Sequence, residues 1–157
     1  MFLWIDGIQG ESTDNERSTP WIEIQSWSWD THNAIRWDMN QGGQSTKANI
    51  GGILVNKICD HASVTLHRYC VTGKHFKTAQ IICRKNDGDK KLEYLTVEMT
   101  DVMISKVTWS GNGDNQAVNE TVNIDFADFT LRYKTQKDSG NPDGEAHFRY
   151  NVQTQET

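Results

Sequence analysis

Two spacings in this 157-residue chain put thiolate and imidazole donors close together: Cys59-x-His61 and His67-x-x-Cys70. Both residue types suit zinc, and positions three apart on a helix share one face. A paired Cys-x-x-Cys is missing, and cysteines at such positions more often serve as small core hydrophobes. The oxygen-rich stretches Asn86-Asp-Gly-Asp89 and Asp138 to Gly144 offer calcium-type donors, yet neither has the full loop spacing with its terminal bidentate glutamate. Turn formation explains both. Glu93, Glu98, Asp101, Glu120 and Asp125 supply carboxylates, but on alternating positions that read as solvated strand faces rather than a glycosidase-like pair. No Gly-x-Ser-x-Gly elbow, active-site cysteine signature or phosphate-cradling glycine loop occurs. The expectation is therefore no catalytic residue, no metal and no cofactor.

Trp27 and Trp29 are the remaining candidates for binding. Exposed on one strand face, they would form a platform for a sugar or peptide. Burial in the core or against another subunit is the commoner fate of two large rings so placed.

The elements that must carry these residues are strands. Phe2–Ile5 is a short apolar strand closed by Asp6-Gly7, and a polar loop follows from Gly10 to Pro20. Ile22 and Ile24 then share one face while Trp27 and Trp29 share the other. Either both faces are covered or a bulge re-aims the strand near Gln25-Ser26. Residues 31–52 form a long polar loop bearing Gly42, Gly43, Gly51 and Gly52, of the length usually reserved for function. Ile53–Ile58 is the next strand. Ser63–Val71 reads as the single helix, with Ser63 as N-cap and Gly73 at the C-terminal cap. Beyond it, Ala79, Ile81 and Cys83 alternate, Asn86–Asp89 turns a hairpin, and strands are expected at Leu92–Met99, Val102–Trp109, Thr121–Ala127 and Phe129–Tyr133. Phe148, Tyr150 and Val152 make a last strand. Seven or eight short strands with frequent turns and one helix predict a mainly β chain, an antiparallel barrel or sandwich, in one domain over residues 1–157, with an extended loop at about 31–52.

Composition narrows the partners. A net charge of −5 argues against nucleic acid, whose phosphates need a net basic face. Hydrophobic content is 36% and mean hydropathy −0.69, while six tryptophans supply burial that aliphatic residues do not. No apolar run approaches the ~18 residues of a membrane span, so membrane insertion is not expected. The start Met1–Asp6 lacks a basic n-region and cleavage site, so no cleaved signal peptide is expected. Three cysteines fit a reduced compartment.

An ordered set of motifs resembles the Hcp (haemolysin-coregulated protein) family of type VI secretion. It comprises Gly-Glu-Ser-Thr-Asp at 10–14, Ile22-Glu23-Ile24 with Ser26-Trp27-Ser28-Trp29, and the helix from Ala62-Ser63 to Gly73. Thr72-Gly-Lys-His-Phe76, Cys83-Arg84-Lys85, Tyr94-Leu95 and Asp101-Val102-x-Ile104-Ser105 follow, then Glu120-Thr121, Asp125-Phe126-Ala127 and Tyr133-x-x-Gln136. Val64 stands where the family commonly has proline, and Glu145–Tyr150 replaces its usual C-terminal segment. The resemblance implies a β-barrel with one packed helix, assembling with itself into six-membered rings that stack into a hollow tube. It implies assembly in the bacterial cytoplasm and export, with sheath and spike proteins as partners and small effector proteins in the lumen. The extended loop, through Ile35, Arg36, Trp37, Met39, Gln44 and Lys47, is the ring-stacking candidate. Trp27 and Trp29 are candidates for a subunit interface or the lumen. Two other readings stand beside it: a secreted carbohydrate- or peptide-binding β-module using the two tryptophans, and the tail-tube protein of a phage-like contractile particle.

Overall fold

The computed structural model describes the backbone of all residues but 39–41, 46, 88–89, 114–115 and 137–141. It describes the side chains of all but 36–46, 86–90, 114–115 and 136–143. Among the described residues, twelve strands and one helix follow one another: β1 Phe2–Ile5, β2 Ile22–Glu23, β3 Ser26–Ser28, β4 Thr31–His32, β5 Ile35–Asp38, β6 Gly42–Ser45, β7 Asn49–Ile50, β8 Ile53–Ile58, α1 His61–Thr72, β9 His75–Asp87, β10 Lys90–Ser110, β11 Asn119–Gln136 and β12 Pro142–Asn151.

The main sheet is antiparallel and runs β2-β1-β9-β10-β11-β8-β3, with β12 added to the C-terminal half of β11. Its two ends, β2 and β3, are separated by only Ile24 and Gln25. The Ile24 N–H donates to the Met1 carbonyl at 3.1 Å and the Gln25 N–H to the Asn56 carbonyl at 2.8 Å. The segment 22–28 therefore pairs with one edge of the curled sheet through its first half and with the other edge through its second. This closes the sheet on itself, as an antiparallel barrel requires. The parity change between Ile24 and Trp27 marks the point where the chain passes from one edge to the other.

Two strands are longer than expected. Leu92–Met99 and Val102–Trp109 are one 21-residue strand, β10, carried through Asp101 at φ 51°. Thr100 and Val102 keep their partners Asp128 and Phe126, so the kink costs no register. Thr121–Ala127 and Phe129–Tyr133 likewise form the single strand β11. Val152 lies just past β12, its N–H bonded to the Ala127 carbonyl. The hairpin expected at Asn86–Asp89 is bracketed by the pair Asp87 and Lys90, with its tip outside the described residues.

Inward-facing residues fill the barrel: Leu3 and Ile5 from β1, Ile53 and Val55 from β8, Ile81 from β9, Val97, Met99 and Ile104 from β10, and Val122 and Ile124 from β11. The helix adds Ala62 and Leu66 to the same core. It starts two residues earlier than the sequence suggests. Asp60, not Ser63, is the N-cap: its side chain accepts the Ala62 N–H at 3.0 Å, while the Ser63 hydroxyl accepts the Asp60 N–H at 2.9 Å. This reciprocal capping box satisfies two donors that the first helical turn would leave bare. Gly73, at φ 64°, closes the other end as expected.

Candidate functional site

The polar loop at 10–20 is clamped onto the barrel rather than free. Asp14 caps the turn by accepting the N–H groups of Glu16 and Arg17, and its carboxylate pairs with Arg84 at 2.7 Å and Lys91 at 3.1 Å. Hydrogen bonding from Arg84, ahead of the backbone and Lys91 bonds, holds the Asp14 carboxyl well below the usual carboxylate range. Arg84 also pairs with Glu16, and Arg17 with Glu93. Ser12, buried, donates to Glu23. Gly10 passes so close to the Trp21 carbonyl oxygen that a Cβ there would collide with it, and would lie 2.6 Å from Ile22 Cγ1.

Across the seam, the two tryptophans turn toward the chain's own core. Trp27 Nε1 donates to Cys83 Sγ at 3.3 Å, and Trp29 Nε1 to the Gly51 carbonyl at 2.8 Å. The Trp29 ring meets Phe126 and Phe129 edge-on, with centroids 5.7 and 4.7 Å away. Both rings are half-buried, and each indole N–H is satisfied within the chain. A sugar platform needs open ring faces and a free polar edge. This arrangement is poorly suited to one.

The strongest polar cluster is one that sequence reasoning missed. Lys57 continues the inward register of Ile53 and Val55, and Glu120 that of Val122 and Ile124; the two are direct cross-strand partners. Both side chains are fully buried, with Lys57 Nζ 2.8 Å from Glu120 Oε2. Lys57 also donates to Asp60 Oδ1 at 2.7 Å, the Ile58 carbonyl at 2.8 Å and Ser63 Oγ at 3.0 Å. Glu120 accepts from Ser63 Oγ at 2.6 Å and Trp109 Nε1 at 2.8 Å. Burial pushes the Glu120 carboxyl up, but hydrogen bonds from Lys57, Ser63 and Trp109 outweigh it and leave the group below its ordinary value. Among the described residues no buried side-chain polar atom lacks a partner. The expectation that Glu120 lies on a solvated face is thus corrected. Its neighbours in β11 face the core, and Lys57 makes its ionised form tolerable there.

This cluster ties the N-terminus of α1 to β8 and β11 and uses every donor it has. Cys59, beside it, has its thiol pushed up first by burial and then by the Glu120 charge, the reverse of what a nucleophile or metal thiolate needs. Cys59, His61, His67 and Cys70 are not gathered: among the described residues no three His, Cys, Asp or Glu side chains could hold one ion. His67 instead lies against the Trp109 ring, 5.1 Å between centroids. The two calcium-type stretches, 86–89 and 138–144, fall largely outside the described residues.

The long segment at 31–52 is not structureless. Its backbone pairs with itself as two ribbons, β4 with β7 and β5 with β6, the second carrying Ile35 opposite Ser45 and Arg36 opposite Gln44. Residues 31–35 are exposed throughout, Ile35 at 56%, and Lys47 is exposed as well. Trp37 pairs with Gly43 through its backbone, and Met39 lies outside the described residues. The ribbons form an arm, and the Trp29 bond to Gly51 fixes its root beside the seam.

Known proteins with this sequence pattern and this fold converge on one family. The family model described as "Type VI secretion system effector, Hcp" matches residues 2–133. The protein Hcp1 of Pseudomonas aeruginosa strain PAO1 is 31% identical over 144 residues, covering 92% of this chain and 88% of that one. A solved type six secretion system protein superposes with a TM-score of 0.91 at 27% identity, covering 99% of this chain and 96% of the other. A type VI secretion system effector from Yersinia pestis superposes with a TM-score of 0.78 at 32% identity, over 96% and 98% of the two chains. Among the described residues no helix is long and apolar enough to cross a membrane. With its closed barrel, single capped helix and matching motif order, the chain belongs to the Hcp family of type VI secretion proteins.

Proposed function

We propose that this chain is the structural subunit of a type VI secretion inner tube. Six copies form a ring, rings stack into a hollow tube, and the tube is exported with small effectors in its lumen. Sheath and spike proteins are its partners in the machine. Assembly takes place in the bacterial cytoplasm, with export that needs no cleaved signal peptide, and residues 1–157 act as one domain. The observation that carries this reading is the arm at 31–50 on a closed barrel. Paired as two ribbons and carrying Ile35 at 56% exposure, the arm presents apolar surface suited to a second copy rather than to its own chain. Ile35, Arg36, Trp37, Met39, Gln44 and Lys47 are assigned to ring stacking. The exposed portions of Trp27 and Trp29 face a neighbouring subunit or the lumen.

Purified protein at tens of micromolar, viewed by negative-stain microscopy, tests the reading. Six-fold rings with a central hole are expected. A field of single small particles would overturn it.

A further inference from the structure

The charge of this chain is unevenly laid out. Residues 61–86 contain no Asp or Glu but carry Arg68, Lys74, Lys77, Arg84 and Lys85. That run is +5, so the rest of the chain is −10 to give the total of −5. One of the five is neutralised within the chain: Arg84, by Asp14 and Glu16. Arg68 and Lys74 are different. Both are exposed at the C-terminal end of α1, and neither pairs with a carboxylate among the described residues. They converge instead on one phenol: Arg68 Nη2 is 2.9 Å and Lys74 Nζ 3.2 Å from Tyr69 Oη, and the two cations lie 4.7 and 4.4 Å from its ring centroid. Tyr69 is itself fixed edge-on against Phe76, 5.3 Å between centroids. Two cations are thus held in place with donor capacity to spare, which is how a carboxylate is received with little ordering cost.

The opposite end of α1 has the complementary character. A cavity of about 420 Å³ opens there between the polar loop and the helix N-terminus, lined by Glu11, Glu23 and Asp60. Of these, Asp60 is paired with Lys57, which also faces Glu120. The 12-residue helix separates the two ends by roughly 18 Å. Opposite charges at the two ends of one rigid element can both be satisfied by head-to-tail contact with further copies. Such a heterologous contact closes into a ring when its rotation allows.

We propose that the Arg68–Tyr69–Lys74 end of α1 docks in the Glu11/Glu23 cavity of the next copy, forming an ionic contact that repeats around the ring. This rests on the tube reading and names one surface of its ring. The macrodipole of α1 already favours cations at its C-terminus, so position alone does not demand a partner. A charge swap separates the two explanations. Arg68→Glu/Lys74→Glu and Glu11→Lys/Glu23→Lys are each expected to need at least tenfold higher protein concentration for ring formation than the unmodified chain. Mixed in equal amounts they are expected to restore rings, with native mass spectrometry finding three copies of each. Circular dichroism checks that each variant folds; Glu11→Lys alone serves if Glu23→Lys disturbs the Ser12 bond. Rings from either swapped variant alone at the concentration that suffices for the unmodified chain, or no rescue on mixing two folded variants, would overturn the contact. An unmodified chain that stays monomeric would instead overturn the tube reading itself.

Discussion

At the residue scale, the Lys57–Glu120 pair governs stability. Lys57→Met leaves the buried Glu120 carboxylate without its cation and should cost about 3–5 kcal/mol; Glu120→Gln, after which Lys57 still pairs with Asp60, should cost less. Replacing both with Lys57→Met/Glu120→Leu removes the desolvation along with the attraction and should be more stable than either single variant. Urea midpoints would order the three. The pair also sets an acid limit. Glu120's carboxyl lies below its ordinary value of 4.5 in the fold, so its contribution is complete above that pH and is lost as pH falls through the lower native value. Asp14, depressed by Arg84, acts with the same sign. Thermal midpoints should therefore drop below about pH 4.5, and less steeply in an already destabilised Glu120→Gln chain. Gly10→Ala, which forces a Cβ into the Trp21 carbonyl, should cost about 1–3 kcal/mol by the same melting measurement. The buried pair was legible only in hindsight: Lys57 and Glu120 fall in step with Ile53, Val55, Val122 and Ile124, but a charged residue in an inward register is ordinarily assigned to solvent. Pairing across two strands 63 positions apart is not a local signal.

At the element scale, period-two alternation was enough to find β1, β8 and the general β character, and glycine at 73 to find the end of α1. What it misplaced follows from geometry that only pairing fixes. β10 runs through Asp101 because both neighbouring strands keep their register across it, so a local break in pattern is not a break in the strand. The helix start moved to Asp60 because Asp and Ser three apart can each play the cap, and Lys57 reaching Asp60 decides between them. The segment at 31–52 read as loop since its paired strands carry glycine and polar residues rather than β-branched ones. The arm prediction belongs here. Deleting residues 34–47 should leave ring formation intact and abolish stacking into tubes, because the deletion spares Ile50, the residue of the ribbons that packs against the barrel core among the described residues. Electron microscopy distinguishes the two; loss of the ring itself would refute the assignment.

At the scale of the whole molecule, family membership rests on motif order over residues 2–133 and on barrel closure, and neither depends on a reactive group. The buried polar chemistry is spent on fixing α1 and the seam, leaving charge as the main feature presented outward. In the proposed hexamer, six copies at −5 each would bring about −30 to one ring, which ions within a Debye length of about 8–10 Å would have to screen. Stacking of rings should therefore strengthen as salt rises from low to physiological concentration, while the docked ionic contacts within a ring are screened less. Light scattering across that range would follow it.

The central claim is that the closed barrel is one-sixth of a ring. Sedimentation velocity at tens of micromolar weighs it directly. Six times 17.9 kDa predicts a species of about 107 kDa, in exchange with larger stacks. A single boundary at the mass of one chain, unchanged as concentration rises, would contradict it.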